Sequence, residues 1–140
     1  MCSSRPAGDS RTVTIAFSVE GKPIQQGSMR AFNNRIVHNK TKDLMEWRSK
    51  VGQAAHLAGC TPITGAITIS MRFRYLRPKS VIRTQPTVPP DLDKQIRSIL
   101  DALTGIAYVD DSQVVEITAT KGYHTTQGVD VVITGGFDHL

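Results

Sequence analysis

Cysteine is nearly missing from this 140-residue chain; Cys2 and Cys60 are the whole supply. Two cysteines build neither a disulfide framework nor, by themselves, a zinc site. The chain therefore reads as made for a reducing, intracellular setting in which both thiols are incidental. Long apolar runs are also absent. No stretch approaches the roughly 20 residues that a membrane-spanning helix needs, which excludes a helical span. The segment from Met1 to Ser10 has no apolar core of the secretory kind. Residues 1–11 read as a disordered lead-in to one domain over 12–140. Aromatic residues make up only 6%, with a single tryptophan. Trp47 falls on the apolar face of an expected helix, which assigns it to the core rather than to base stacking. Internal repeats and low-complexity tracts are lacking too.

What is present is ordinary in amount and uneven in place. Hydrophobic residues are 39% and charged residues 21%, the balance of one globular domain with its own core. The formal net charge is +5. From Arg30 to Arg83 eleven Lys and Arg face only two acids, whereas from Thr84 onward three bases face eight acids. A chain split this way can offer a polyanion one surface and a cation another. Unevenly charged solvated surface is the plainer reading, and net charge does not choose between them.

Periodicity supplies the elements. Val13, Ile15, Phe17 and Val19 alternate with polar residues, as a half-buried strand requires. A polar loop from Gln25 to Arg30 follows, and Arg35 to His38 reads as a short second strand. Leu44, Trp47, Val51, Ala54, Ala55 and Ala58 share one helical face, so a helix is expected from Thr41, as N-cap, to about Ala58, with Gly59 as its stop. Ile67, Ile69, Met71, Phe73 and Tyr75 mark the clearest strand. Its other face carries Thr68, Ser70, Arg72 and Arg74, with Arg77 and Lys79 beyond. A proline-rich link then leads into a helix with Ile96, Ile99, Leu100 and Leu103 in a stripe and Gly105 at its end. Two strands, about 113–121 and 128–134, close the chain. The expected fold is α/β in the α+β sense: a single domain with a mixed sheet of four or five strands and two main helices.

Five carboxylates fall within 21 positions, at Asp91, Asp93, Asp101, Asp110 and Asp111. Asp91 and Asp93 are two apart, so an extended backbone points both to one side, and a helix N-terminus tolerates their charge. If the link after Gly105 doubles back along the helix, Asp110 and Asp111 return to them. Aspartate oxygens at one point favour a hard divalent cation such as Mg²⁺; the His and Cys of a zinc site are absent nearby. A lone D-x-D is most often a solvated turn or cap. Asp93–Arg97 and Arg97–Asp101 are i,i+4 pairs of the kind that decorate a helix surface. Arg97 on a reacting phosphate is the functional alternative.

Asp91-Leu92-Asp93 with Arg97, then Leu100-Asp101-Ala102-Leu103-Thr104-Gly105, then Asp110-Asp111-Ser112-Gln113-Val114-Val115, resembles the signature of the RusA family of Holliday-junction resolvases. The resemblance is dense from Pro90 to Lys121. It implies a Mg²⁺-dependent endodeoxyribonuclease (Mn²⁺ as substitute) of the kind found in phages and prophages, working as a homodimer on four-way junctions in recombination and repair. It implies metal ligands at Asp91, Asp93 and Asp111 with Asp110 beside them. Arg97 stands where the family's catalytic lysine does, and Lys94 where many members have asparagine. Arginine does not give up a proton as an ammonium can: Arg97 suffices if the family's lysine only stabilises charge, and does not replace it if that lysine acts as an acid. Candidate DNA contacts are Arg30, Arg35, Arg72, Arg74, Arg77 and Lys94. The expected setting is the cytoplasm of a bacterium or phage-infected cell. A junction binder without turnover and a domain using a cation for stability are the competing readings.

Overall fold

The structure, a computed structural model, describes residues 12–25 and 34–137, with side chains in the first helix described from Lys42 onward. In chain order it comprises β1 (Thr12–Glu20), α1 (Asn34–Leu57), β2 (Ile67–Tyr75), α2 (Leu92–Leu103), a short 3₁₀ turn (Asp111–Gln113), β3 (Val114–Tyr123) and β4 (Gly128–Gly136). The four strands form one mixed sheet in the order β1-β4-β2-β3. β4 runs antiparallel to both β1 and β2, whereas β2 and β3 are parallel. This is the expected α+β architecture with two main helices.

Two expectations at its start fail together. Residues 35–38 are not a strand, and Thr41 is not an N-cap, because α1 already begins at Asn34. Ile36 and Val37 favour strands as single residues, but the helical run that continues through Leu57 overrides them. The far end behaves as read. Gly59 adopts φ +98°, its N–H bonds the His56 carbonyl, and the Cys60 N–H bonds that of Ala55. This paired closure suits a residue without Cβ. The lead-in before Thr12, and the loop segment carrying Arg30, lie outside the described residues.

The core forms where the alternating strand faces meet the helices. Ile67, Ile69, Met71 and Phe73 of β2 and Val129, Val131 and Ile133 of β4 pack with Trp47, Val51 and Ala55 of α1 and Ile99 and Leu103 of α2. Trp47 is 3% exposed, as its place in the pattern requires. β3 departs from simple alternation. Ile67 pairs with Val114 but Thr68 with Glu116, so Val115 is an extra residue at a bulge. The bulge sets Ile117 and Ala119 beside Ile69 and Met71 and leaves Val115 70% exposed.

Parallel strands require a crossover, and the link with α2 provides it. α2 therefore runs back against the direction of β2 and β3. Its N-terminus lies near their C-terminal ends and its C-terminus near their beginnings. That geometry governs everything about the acidic cluster.

Candidate active site

Asp91 is the N-cap of α2, in extended conformation (φ −73°, ψ 136°), yet its side chain makes no capping hydrogen bond. An N-cap aspartate ordinarily spends its carboxylate on the first free N–H groups of the helix. Here the carboxylate is turned outward, 46% exposed, with the Lys94 ammonium 3.3 Å away. The backbone N–H of Asp91 is held from elsewhere, by the side-chain carbonyl of Gln25 just after β1. Two residues on, Asp93 is exposed and has no ion-pair partner among the described residues. Arg97 is exposed as well and likewise unpaired among them, so the expected surface pairs Asp93–Arg97 and Arg97–Asp101 do not form. Asp101 instead reaches across to Arg48 of α1 at 2.8 Å, which gives it a packing role between the helices.

The platform under this corner is tightly bonded. The buried Gln95 donates through Nε2 to the Tyr75 hydroxyl at the end of β2. Burial holds the Tyr75 phenol well above its ordinary range despite that bond. Arg83 donates to the Tyr123 hydroxyl at 3.1 Å. Lys121 of β3 donates to the carbonyls of Val88 at 2.9 Å and Pro90 at 2.8 Å. None of these supports is visible as a motif; only the register of β3 against β2 brings Lys121 and Tyr123 to the link.

Asp110 and Asp111 lie at the other end of α2. The chain turns at Gly105 (φ +87°), and the Tyr108 hydroxyl donates to the Leu100 carbonyl at 2.7 Å. The link thus turns back at Gly105 so that Tyr108 lies beside Thr104, and only its side chain reaches Leu100. Asp110 then caps the 3₁₀ turn. Its carboxylate accepts from the Ser112 N–H at 3.0 Å, while Gln113 Oε1 accepts from the Asp110 N–H at 2.9 Å. The bonds from Ser112, its backbone N–H first and then its side chain, hold the Asp110 carboxyl below the ordinary carboxylate range. Gln113 Nε2 fastens the turn to the carbonyls of Ile63 and Gly65 ahead of β2. Asp111 is exposed and does none of this work.

The expected convergence of the two aspartate pairs within one chain is therefore not what the fold produces. α2 is about 18 Å long at its usual rise, and β3 from Val114 to Lys121 spans about 23 Å. Asp91 and Asp93 sit at one end of that unit and Asp110 and Asp111 at the other. Among the described residues no group of three His, Cys, Asp or Glu side chains is placed to hold a metal ion. The chemistry of the donors still suits a hard cation: two carboxylates at each end, that of Asp110 already engaged in its cap, and no sulfur or imidazole among them.

The candidate DNA-contact arginines separate. Arg74 is buried, bonded to Asp130 at 3.2 Å, Glu20 at 3.0 Å and the Thr126 hydroxyl. Arg72 pairs with the same Asp130 at 2.8 Å. Burial raises the Asp130 carboxyl, but bonds from Ser18 and Arg72 and the charges of Arg74 and Arg72 outweigh it, leaving it below its ordinary value. Arg77, by contrast, is exposed without a polar partner among the described residues, and Lys94 stands beside Asp91. Arg35 lies on α1 with its side chain outside the described residues, as is the whole of Arg30.

The sequence from residue 20 to residue 134 matches the family described as Endodeoxyribonuclease RusA. The chain belongs to this family. As a RusA-family member it is also similar to a Bacillus subtilis (strain 168) protein bearing the name "Uncharacterized protein YqaN", 32% identical over 136 residues, covering 85% of this chain and 94% of that one. No helix among the described residues is long and apolar enough to cross a membrane.

Proposed function

We propose that this RusA-family chain is a Mg²⁺-dependent endodeoxyribonuclease that resolves four-way junctions and related branched DNA during recombination and repair. The observation that carries the reading is the Asp91 carboxylate: it occupies an N-cap position and is withheld from capping, leaving it and Asp93 facing solvent next to Lys94 and Arg97. Asp91, Asp93 and Asp111 would hold the metal. Bound there, Mg²⁺ (or Mn²⁺) supplies charge neutralisation at the scissile phosphodiester and a more acidic attacking water. Arg97, permanently charged, stabilises the negative charge that builds on the phosphate. Lys94 and Arg77 contact neighbouring phosphates and so position the backbone. Asp110 keeps its cap and supports Asp111.

The separation of the two ends of α2 favours a homodimer with shared sites. β3 is an edge strand with Val115 and Ile117 exposed at 70% and 40%. Two copies paired antiparallel along β3 bring the Asp111 end of one chain toward the Asp91–Asp93 end of the other, twice, by symmetry. Two such sites fit two opposed strands of a four-way junction.

The test is a labelled four-way junction with and without Mg²⁺. Paired nicks that require the metal and disappear in Asp93→Asn, with junction binding kept, are expected; removing one ligand should cost at least about a hundredfold in rate. Binding without cleavage in any divalent metal would instead make the chain a junction binder. Absence of junction affinity at moderate salt would remove the DNA reading altogether.

A further inference from the structure

We infer that Lys121 is a positioning residue for the metal centre, acting through the strap that carries Asp91; the inference rests on the nuclease reading above. Lys121 lies near the end of β3, thirty positions after Asp91 in sequence, and belongs to none of the acidic motifs. Its ammonium donates to the Val88 carbonyl at 2.9 Å and to the Pro90 carbonyl at 2.8 Å. Those carbonyls flank the last two prolines before Asp91. Prolines have no N–H of their own, so the strap 86–90 has few ways to bind itself to the sheet. Val88 is 40% exposed and brings little apolar anchoring. Pro86 is buried and anchors the start of the strap; the two bonds from Lys121, each charge-assisted, tie its Val88–Pro90 end to β3.

Asp91 has four constraints on it. The Gln25 carbonyl holds its N–H, its own carbonyl accepts from Gln95 N in the helix, Gln95 pins that helix to Tyr75, and Lys121 fixes the peptide immediately before it. Its carboxylate, by contrast, makes no cap bond. Beyond the Lys94 ammonium 3.3 Å from its carboxylate, Asp91 is aimed through its backbone, and Lys121, together with Gln25, holds the side of that backbone that the helix does not. In this respect Lys121 plays the part of the outer partners that orient metal ligands, whose loss typically costs ten- to a hundredfold in affinity.

Lys121→Met keeps the aliphatic stem and removes the donors; Lys121→Arg restores charge and donors. Mn²⁺ binding to the metal-free protein is read by calorimetry, and hydrogen exchange at the Asp91 and Leu92 amides is read with no metal or DNA present. The expected results for Lys121→Met are at least about a tenfold weaker Mn²⁺ affinity, faster exchange at those two amides, a fall in kcat at low metal that excess metal repairs, and an unchanged KM for the junction. Lys121→Arg should recover most of the affinity. Wild-type metal affinity and wild-type exchange in Lys121→Met would overturn the inference. Should Lys121→Met fail to fold, Lys121→Gln gives the same readings. A wild-type protein that binds Mn²⁺ but cuts no junction would sink the nuclease reading while leaving the exchange and affinity measurements to judge Lys121.

Discussion

At the scale of single residues, similar side chains acquire different roles from what touches them. Asp110 is occupied in capping a turn, Asp101 in joining two helices, and Asp130 in holding two arginines. Asp91, Asp93 and Asp111 are left to act outward. The arginines divide likewise: Arg74 is a buried structural cation, and Arg97 is exposed. Asp130 has its carboxyl below the ordinary value in the folded state, so its stabilisation is complete above the unfolded carboxylate range and lost as pH falls through the lower folded value. Asp130→Asn, which leaves the buried Arg74 short of a charged partner, should cost about 2 kcal/mol near neutral pH. That difference from wild type should shrink as pH falls below the ordinary carboxylate range and the Asp130 carboxylate takes up its proton; thermal melts across pH check it, and a difference that stayed constant into acid would contradict the electrostatic account. For Arg97 the expectation follows from its fixed charge. Arg97→Lys should cut at a rate within about tenfold of wild type, whereas Arg97→Ala should lose roughly a hundredfold or more in single-turnover cleavage. An alanine variant that cuts normally would return Arg97 to a solvated surface.

At the scale of elements, β2 and β4 were legible because strict alternation survives burial on one face; α2 was legible because four apolar residues lie at helical spacing. The start of α1 was not, since β-branched residues at 36 and 37 make a local case for a strand that only the longer helix outvotes. The bulge at Val115 was equally hidden, as it exists in the pairing with β2 and not in β3's own order of residues. Among the site residues, Asp91, Asp93 and Asp111 could be picked out by motif, but their separation could not. It depends on β2 and β3 being parallel, a property of the crossover that periodicity does not express. Gln25, Gln95, Lys121 and Tyr123 carry no signature at all. The α1–α2 lock offers an element-level test. Asp101→Ala removes a partly exposed pair and should lower stability by about 1 kcal/mol or less, with cleavage rates per folded molecule unchanged. Denaturant melts alongside junction cleavage read both, and a large loss of kcat would place Asp101 in the chemistry instead.

At the scale of the whole molecule, the sheet has one covered face and one polar face, and charge is sorted between them. On the open face Arg72 and Arg74 are balanced by Asp130 and Glu20, so that surface offers phosphates little net attraction. Lys94, paired with Asp91, and Arg97, unpaired among the described residues, stand instead on the first turns of α2 with the exposed aspartates. The proposed ligand set draws on both ends of α2, which lie about 18 Å apart within one chain. Mixing defective chains decides whether two chains complete each other. Asp93→Asn and Asp111→Asn should each be inactive alone on a four-way junction. If each site draws Asp91 and Asp93 from one chain and Asp111 from the other, the mixed dimer contains one site with every ligand intact and one with two substitutions. Mixing should then restore nicking of single strands without paired cleavage, up to about a quarter of wild-type site number if subunits exchange at random between equal pools. Chains that each hold a complete site would stay inactive in any mixture. Replacing Val115 and Ile117 by lysine should abolish the rescue and yield a monomer by light scattering, because charge on an exposed edge opposes strand pairing. Rescue that survived those lysines would move the interface away from β3 while leaving the shared site standing.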